Sequence, residues 1–512
     1  MDQHFDRFGQ TDANNVALSP VSFLSRAEAL FGPRAAVIYG DVRRTWSETG
    51  ARIRAVATGL RQLGVVKGTT VSVLAPNIPE VFELHFAVPL TGGVLNVLNF
   101  RLEAATIAFI LDHADTQLVI VDRAFGPLLQ EAFALMGREI ARVVINDPAA
   151  ADAPPLDGAD YAMLANGPTE VQPPLADEWQ AITLNYTSGT SGKPKGVVYH
   201  HRGAYLMALG TVAAWQMPHH LTYLSVVPMF HCNGWGHPWV MALLGGTMVF
   251  TRMPVPDLIL SAIRDHGVTH FGAAPIILQM LADAGDASQP DEPPVQGMTA
   301  GAPPPPAVLE RAQALCMRGM QVYGLTETYG HISQCMWQDD WAALPVEDQA
   351  RRQAQQGIAL PMVETVAVLE NGTPVPQDGA TPGEIAIRGN TVMKGYYKDP
   401  EATDAAFRDG WFWSGDAAVV HPDGYIQVTD RLKDVSISGG ENISSVEVEA
   451  VLYGHPSVQA AAVVAKPDPK WGEAPGAVIE LREGAVAEAD DILGFCRERL
   501  AGFKSPKAVV FG

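Results

Sequence analysis

The stretch "QAITLNYTSGTSGKPKG", residues 180–196, decides the architecture. Its first half is a short apolar and β-branched run of the length of a buried strand. From Tyr186 to Gly196 it packs four small hydroxyl residues, three glycines and two lysines into eleven positions. Backbone N–H groups and hydroxyls can surround phosphate oxygens, glycines allow close approach, and lysine offsets the negative charge. A strand that runs directly into such a loop puts it at the strand's C-terminal end, where α/β folds bind ligands.

The same rhythm extends outward. "TTVSVLAPN" (69–77) reads as strand and turn, and "IPEVFELHFAVPLTGG" (78–93) as the following helix. "TQLVIVD" and "ARVVIND" read as buried parallel strands, and "LTYLSVVPMF", "GGTMVF" and "VTHFGAAP" continue the alternation. From about residue 362, "ETVAVLENG", "GEIAIRGN" and "GYIQVTD" are short strands bounded by turn residues, which predicts a small antiparallel barrel or sheet. "GAPPPP" (301–306) reads as a turn before a helix. After "DRLKD" (430–434) a compact α+β pattern follows. The expected fold is α/β. A large N-terminal domain, 1–430, has layered βαβ subdomains plus a small β-barrel; a hinge, 431–434, leads to a small mobile α+β domain, 435–512.

Composition narrows the function. The 512 residues are 47% hydrophobic and 18% charged, as in ordinary globular proteins. A net charge of −21 argues against nucleic acid or an anionic membrane as main partner. Cys232, Cys316, Cys335 and Cys496 are far apart and form no CxxC pair, so neither a disulfide framework nor a zinc knuckle is expected. No uncharged apolar run approaches the roughly 20 residues of a membrane span, and "MDQHFDRFGQ" lacks the regions of a signal peptide. A cytoplasmic location is expected. His219 with His220, and His200 with His201, lack partners at metal-ligand spacing and read as solvated loop histidines.

The loop is not a Walker loop. That motif needs G-x-x-x-x-G-K-[ST]; here Thr187 stands five positions before Gly192, and Lys193 precedes Pro194. Other segments suit a nucleotide handled differently. In "YGLTET" (323–328), Tyr323 can lie against a purine and Glu327 can hold a magnesium ion bridging phosphate oxygens. "GWFWSGD" (410–416) ends in Asp416, whose oxygens suit a ribose diol, and Arg431 offers a forked second donor. "MTAGAPPPP" exposes backbone at Gly301 and Ala302 beside a rigid proline turn starting at Pro303, one wall of a pocket.

Together with "GYYKDPEAT" (395–403) and "DRLKDVSISGGENIS" (430–444), these motifs resemble the adenylate-forming superfamily over the whole chain. That superfamily includes acyl-CoA synthetases, luciferases and the adenylation domains of peptide synthetases. The resemblance implies that Thr187, Ser188, Gly189, Thr190, Ser191, Gly192 and Lys193 hold the β- and γ-phosphates of ATP, with Thr187 and Glu327 carrying Mg²⁺. It implies that Tyr323, Gly324, Leu325 and Thr326 lie near adenine, and that Asp416 and Arg431 bind the ribose. Lys433 matches the hinge, and Ser438, Gly439, Gly440 and Glu441 leave room for the pantetheine thiol of coenzyme A. The implied reaction joins a carboxylate to AMP with release of pyrophosphate; a thiol then expels AMP.

"PMFHCNGWGHPW" (228–239) falls where the family places its acyl pocket. His231, Asn233 and Trp235, with Gly301 and Pro303, are expected to line it, His231 gating its mouth. No acid is present to pair with an amino acid's ammonium group, and Trp235 is bulky enough to shorten a tunnel. The resemblance leans toward ligases of short- or medium-chain acids, such as 3-methylmercaptopropionate-CoA ligase. Expected partners are a small carboxylic acid, ATP and CoA, with a homodimer left open. Loading of a carrier protein, or a nucleotide- or acyl-binding protein without turnover, are the alternatives. The family's final segment, P-x-T-x-x-G-K, does not follow "FKSPKAVVFG", so a missing tail is expected; Lys504 and Lys507 match the upstream pattern and do not take its lysine's role.

Overall fold

Leu118–Asp122, "LVIVD", is buried along its whole length. Such a β-branched run demands a parallel sheet covered on both faces. The computed structural model has this arrangement. It describes residues 8–170, 175, 177–187, 193–284, 294–300, 311, 317–431, 436–438, 441–443, 445–468, 472–500, 502 and 504–512. Two compact units divide the chain: Met1–Val268 with Thr326–Gly330 and Asn390–Glu401, and Thr269–Leu325 with His331–Gly389 and Ala402–Gly512.

In the first unit an eight-stranded sheet runs in the order Gly395–Tyr396, Gly196–His200, Ala181–Tyr186, Val94–Val97, Thr70–Leu74, Leu118–Asp122, Ala141–Ile145, Ala159–Asp160. Neighbours from Ala181–Tyr186 to Ala159–Asp160 are parallel, and the other two pairings are antiparallel. Helices Ala104–His113 and Gly126–Met136 cover one stretch, burying Ile107, Leu111, Leu129 and Phe133 against Val119 and Val121. A second set of strands pairs Ala35–Tyr39 and Thr222–Ser225 with Thr247–Phe250, both in parallel.

Helix Pro79–Leu90 starts with Pro in its first turn, where the missing N–H costs nothing, and buries nearly every residue. Glu83 is among them. Its carboxylate takes the Arg52 fork at 2.6 and 3.2 Å, Arg44 at 3.1 Å and the Tyr161 hydroxyl at 2.9 Å. A buried charge left without all of these partners would cost about 3–5 kcal/mol; the two arginines share that role here.

In the second unit, Val295–Thr299 pairs in parallel with both His270–Ala273 and Met317–Leu325. The turn-bounded segments after residue 362 form the expected small antiparallel sheet, centred on Val363–Glu370, Gly383–Gly389, Trp411–Val420 and Ile426–Arg431. A C-terminal sheet pairs Val458–Asp468 with Gly472–Leu481, and Ala508–Phe511 joins the latter in parallel. Helices Ser445–Tyr453 and Ala489–Arg497 cover it, burying Val448, Leu452, Ile492 and Cys496 beside Ile479. The fold is thus α/β with mixed sheets, a large N-terminal part and a small C-terminal one. Among the described residues no helix is long and apolar enough to cross a membrane.

One expectation is corrected. His200 and His201 are not solvated; each is 1% exposed. They sit where a strand turns into helix His201–Ala214, and the His200 ring caps that helix by accepting the Gly203 N–H at 2.8 Å. His201 Nδ1 meets the Ser19 hydroxyl at 2.8 Å. His219 and His220 are exposed, as read.

Burial holds His85, His201 and His270 down to about 4, and burial with the nearby charge of Arg202 holds His200 down to about 3. The unfolded chain takes up these protons below about 6.5, whereas the folded chain does not until much lower. Stability should therefore be full above about pH 6.5 and fall as pH drops toward 4, by up to roughly 3 kcal/mol per fully buried histidine. Denaturant midpoints across that range measure it, and His201→Asn should flatten the slope. An unchanged slope would count against neutral burial of His201.

Candidate active site

Strand Ala181–Tyr186 delivers the chain to the loop, and Gly196–His200 takes it back antiparallel, with Tyr186 opposite Gly196. The Thr187 N–H donates to the Lys195 carbonyl at 3.0 Å, closing the loop at its base. Lys193 and Lys195 are exposed; their ammonium groups stand 5.2 Å from the Phe109 ring and 4.8 Å from the Tyr396 ring. Ser188, Gly189, Thr190, Ser191 and Gly192 lie outside the described residues, as do Gly301, Ala302, Pro303, Lys433, Gly439 and Gly440 and the side chains of Arg431, Ser438 and Glu441. The hinge residues 432–434 and the "GAPPPP" turn also lie outside them.

The returning strand positions Glu327. Tyr199, on that strand, donates to the Thr326 carbonyl at 2.6 Å and stacks on Tyr329 at 3.8 Å. The Tyr329 hydroxyl accepts the His200 N–H and donates to the His200 carbonyl at 3.2 Å. Tyr329 has φ +64°, and Gly203 makes room for it: a Cβ there would meet the ring at 2.5 Å. Tyr396 pairs with Val197 across the same strand and donates its hydroxyl to Glu327 Oε1 at 2.7 Å. Burial, then the Glu327 charge, raises the Tyr396 pKa, so its hydroxyl remains a donor. The structure therefore brings Glu327 to the strand that leaves the Thr187–Lys195 loop.

These residues fit a magnesium ion. Glu327 Oε1 is taken by Tyr396, and among the described residues Oε2 accepts no hydrogen bond. No group of three or more His, Cys, Asp or Glu among the described residues could hold a metal. A carboxylate oxygen of Glu327 and the Thr187 hydroxyl are hard oxygen donors of the kind Mg²⁺ takes, an ion that keeps few protein ligands and binds through substrate phosphates.

In the second unit the Tyr323 hydroxyl donates to Asp416 Oδ2 at 2.7 Å, and Asp416 is 4% exposed. Gly324 and Leu325 end the strand that carries Tyr323, and Thr326 follows in the turn with Glu327. Asp416 stands directly opposite Arg431 in the antiparallel register. The residue before Arg431, Asp430, accepts the Ser445 N–H at 2.6 Å and its hydroxyl at 3.3 Å, capping helix Ser445–Tyr453.

The segment 228–239, expected to line an acyl pocket, has an unusual backbone. Cys232, Asn233, Gly234, Trp235 and Gly236 all have positive φ, from +45° to +72°, making one left-handed turn. That conformation costs about 1–2 kcal/mol for each non-glycine residue. Asn77 braces the lead-in, bonding the Ser225 and Val227 carbonyls at 3.0 and 2.8 Å and the Met229 N–H at 2.9 Å. His231 is exposed beside Phe230. Lost hydration and the charge of Arg101 disfavour its protonated form, so it titrates below an ordinary histidine; the exposed edge limits the effect. Trp235 is half-buried. Asn233, read as a lining residue, is instead wholly buried with its amide turned into the protein.

Cys232 opens this turn, its sulfur 3.8 Å from the Thr326 hydroxyl. Burial pushes its thiol up to about 11, that of Cys335 up to about 12, and that of Cys496 upward.

Sequence reasoning missed Tyr199, Tyr396 and Gly203 as supports of Glu327. Tyr396 lay in the quoted "GYYKDPEAT" but was given no role, since nothing in its spacing reveals a partner 69 residues away.

Comparisons with known proteins identify the family. The AMP-binding enzyme family matches residues 24–397, and its C-terminal domain matches residues 447–512. The chain is 46% identical to an acetate/butyrate–CoA ligase of Arabidopsis thaliana, described as peroxisomal, over 99% of this chain and 93% of that enzyme. It is 42% identical to a 2-methylpropanoate–CoA ligase of Humulus lupulus, over 98% and 92%. The O-succinylbenzoate coenzyme A synthetase of Bacillus subtilis, solved with ATP and magnesium, superposes with a TM-score of 0.81 at 27% identity, over 96% and 95% of the two chains. Since these matches run over nearly its whole length, the chain belongs to the AMP-binding enzyme family.

Proposed function

We propose that this chain is an ATP-dependent, AMP-forming acyl-CoA ligase for short carboxylic acids. The observation that carries the reading is Glu327, held by Tyr396 beside the strand that leaves the Thr187–Lys195 loop. A carboxylate oxygen attacks the α-phosphorus of ATP, forming the acyl–AMP bond as the bond to pyrophosphate breaks. The sulfur of CoA then attacks the acyl carbon, and AMP leaves. The loop from Thr187 to Lys193 binds the β- and γ-phosphates, and Asp416 holds the ribose with Arg431. Thr187 and Glu327 would hold Mg²⁺, which neutralises phosphate charge when bound. What the protein contributes is positioning and preorganised charge.

Residues 1–430 form the adenylating domain, 431–434 the hinge and 435–512 the lid in this reading. Acetate-, butyrate- and 2-methylpropanoate-sized acids are the substrate class, which the bulk of Trp235 and the names of the relatives support. A cytoplasmic location fits scattered, unpaired cysteines.

The test is release of AMP across straight and branched carboxylic acids, with and without CoA. CoA-dependent acyl thioester with short acids is the expected result. Activity with amino acids, or transfer only to a carrier protein, would replace the proposal. Trp235→Ala should move preference toward longer or bulkier acids, with about 3 kcal/mol or less of lost stability because the ring is only half-buried. A folded variant with an unchanged length profile would remove Trp235 from the pocket.

A further inference from the structure

We propose that His85 and Asn233 are positioning residues for the acyl-binding turn. A polar relay through them holds the left-handed turn 232–236 against helix Pro79–Leu90 and the strand that feeds the phosphate loop, and so fixes where His231 and Trp235 stand. The proposal rests on the acyl-ligase reading above.

The relay has one polarity. The Val81 carbonyl can only accept, so its 2.8 Å contact puts the proton on His85 Nδ1. His85 is fully buried and stays neutral, which leaves Nε2 an acceptor. Asn233 Nδ2 donates to it at 3.2 Å. The amide is thereby oriented, and Oδ1 faces two donors: the Thr183 hydroxyl at 2.9 Å and Asn185 Nδ2 at 3.1 Å. Asn185 also donates to the Thr183 hydroxyl at 3.0 Å. A flipped amide would set oxygen against the Nε2 lone pair and NH₂ against NH₂.

Thr183 and Asn185 are two residues apart on strand Ala181–Tyr186, hence on one face of it. All four side chains are buried. A backbone this unfavourable persists only where its surroundings over-determine it, and the relay supplies that constraint from elements 48 to 148 residues away. A second tie, from His237 Nδ1–H to the Gly234 carbonyl at 2.9 Å, fixes the far end of the turn.

A positioning role differs from a merely stabilising one in what it moves. Asn233→Ala and His85→Leu should raise KM for the carboxylic acid by about 10- to 100-fold, while KM for ATP stays within about twofold. They should also blunt discrimination between acids of different length. His85→Gln, which restores an acceptor, should recover most of the loss, and the double variant should be little worse than either single one. Thr211→Val, a buried change that removes a hydroxyl bonded to the Met207 carbonyl at 2.8 Å, serves as the stability control. Folded relay variants with wild-type acid KM and length profile, or an equal KM shift in the control, would overturn the proposal. Trp235→Ala, run alongside, separates the two readings. If it shifts the profile and the relay variants do not, only the relay fails; if none does, the acyl-pocket assignment fails too. Should the variants not fold, ¹⁵N shifts of wild-type His85 decide: the neutral Nδ1–H tautomer is expected, and Nε2–H would refute the relay.

Discussion

Glu327→Gln should slow acyl-adenylate formation by about 10²–10³-fold, the range seen when one preorganised electrostatic contact is removed. The substitution keeps the size of the side chain and can still accept the Tyr396 hydroxyl through its amide oxygen, so the turn should keep its place. Only the negative charge is lost. Pyrophosphate release at saturating ATP and Mg²⁺ reads the first half-reaction, and CoA transfer from supplied acyl-AMP reads the second. The defect should be confined to the first. Adenylation within about threefold of wild type would remove Glu327 from the metal site.

Asp416→Ala should raise KM for ATP by about 10- to 100-fold, the worth of hydrogen bonds to a charged group. The carboxylate also receives the Tyr323 hydroxyl, so the substitution should loosen Tyr323 as well. Deoxy analogues give the sharper readout. Wild type should discriminate against 2′-deoxy- and 3′-deoxy-ATP, and the variant should treat them nearly like ATP. If the variant keeps full discrimination, the ribose is held elsewhere.

Much of the fold was legible because its strands obey simple rules. "LVIVD" and "AITLNY" are short, β-branched and buried, and the loop after Tyr186 has a composition few other structures need. The change to antiparallel strands after residue 362 was signalled by Gly, Pro and Asp turns. The supports of the site were not legible. Tyr199, Gly203 and Tyr396 converge on the Glu327 turn from distant segments, and no local period encodes such a meeting. "HCNGWG" was read for side-chain chemistry, whereas its backbone is left-handed from Cys232 to Gly236, which propensity argues against at Cys232 and Trp235. Asn233 was misplaced for that reason. His200 and His201 were misread because a lack of partners at metal-ligand spacing says nothing of burial; only the tertiary structure shows a helix cap there.

The buried cysteines bear on how the enzyme's own chemistry can be observed. An ordinary thiol near pKa 8.5 is a quarter or so ionised at pH 8, whereas one at 11 is ionised in about one molecule in a thousand. Cys232, Cys335 and Cys496 are all buried and raised, so thiol-directed dyes and peroxide should pass them by. Consumption of CoA can then be followed by titrating its free sulfhydryl in timed samples, with little background from these three positions. The same shielding should keep these three thiols from being oxidised to sulfenic acid.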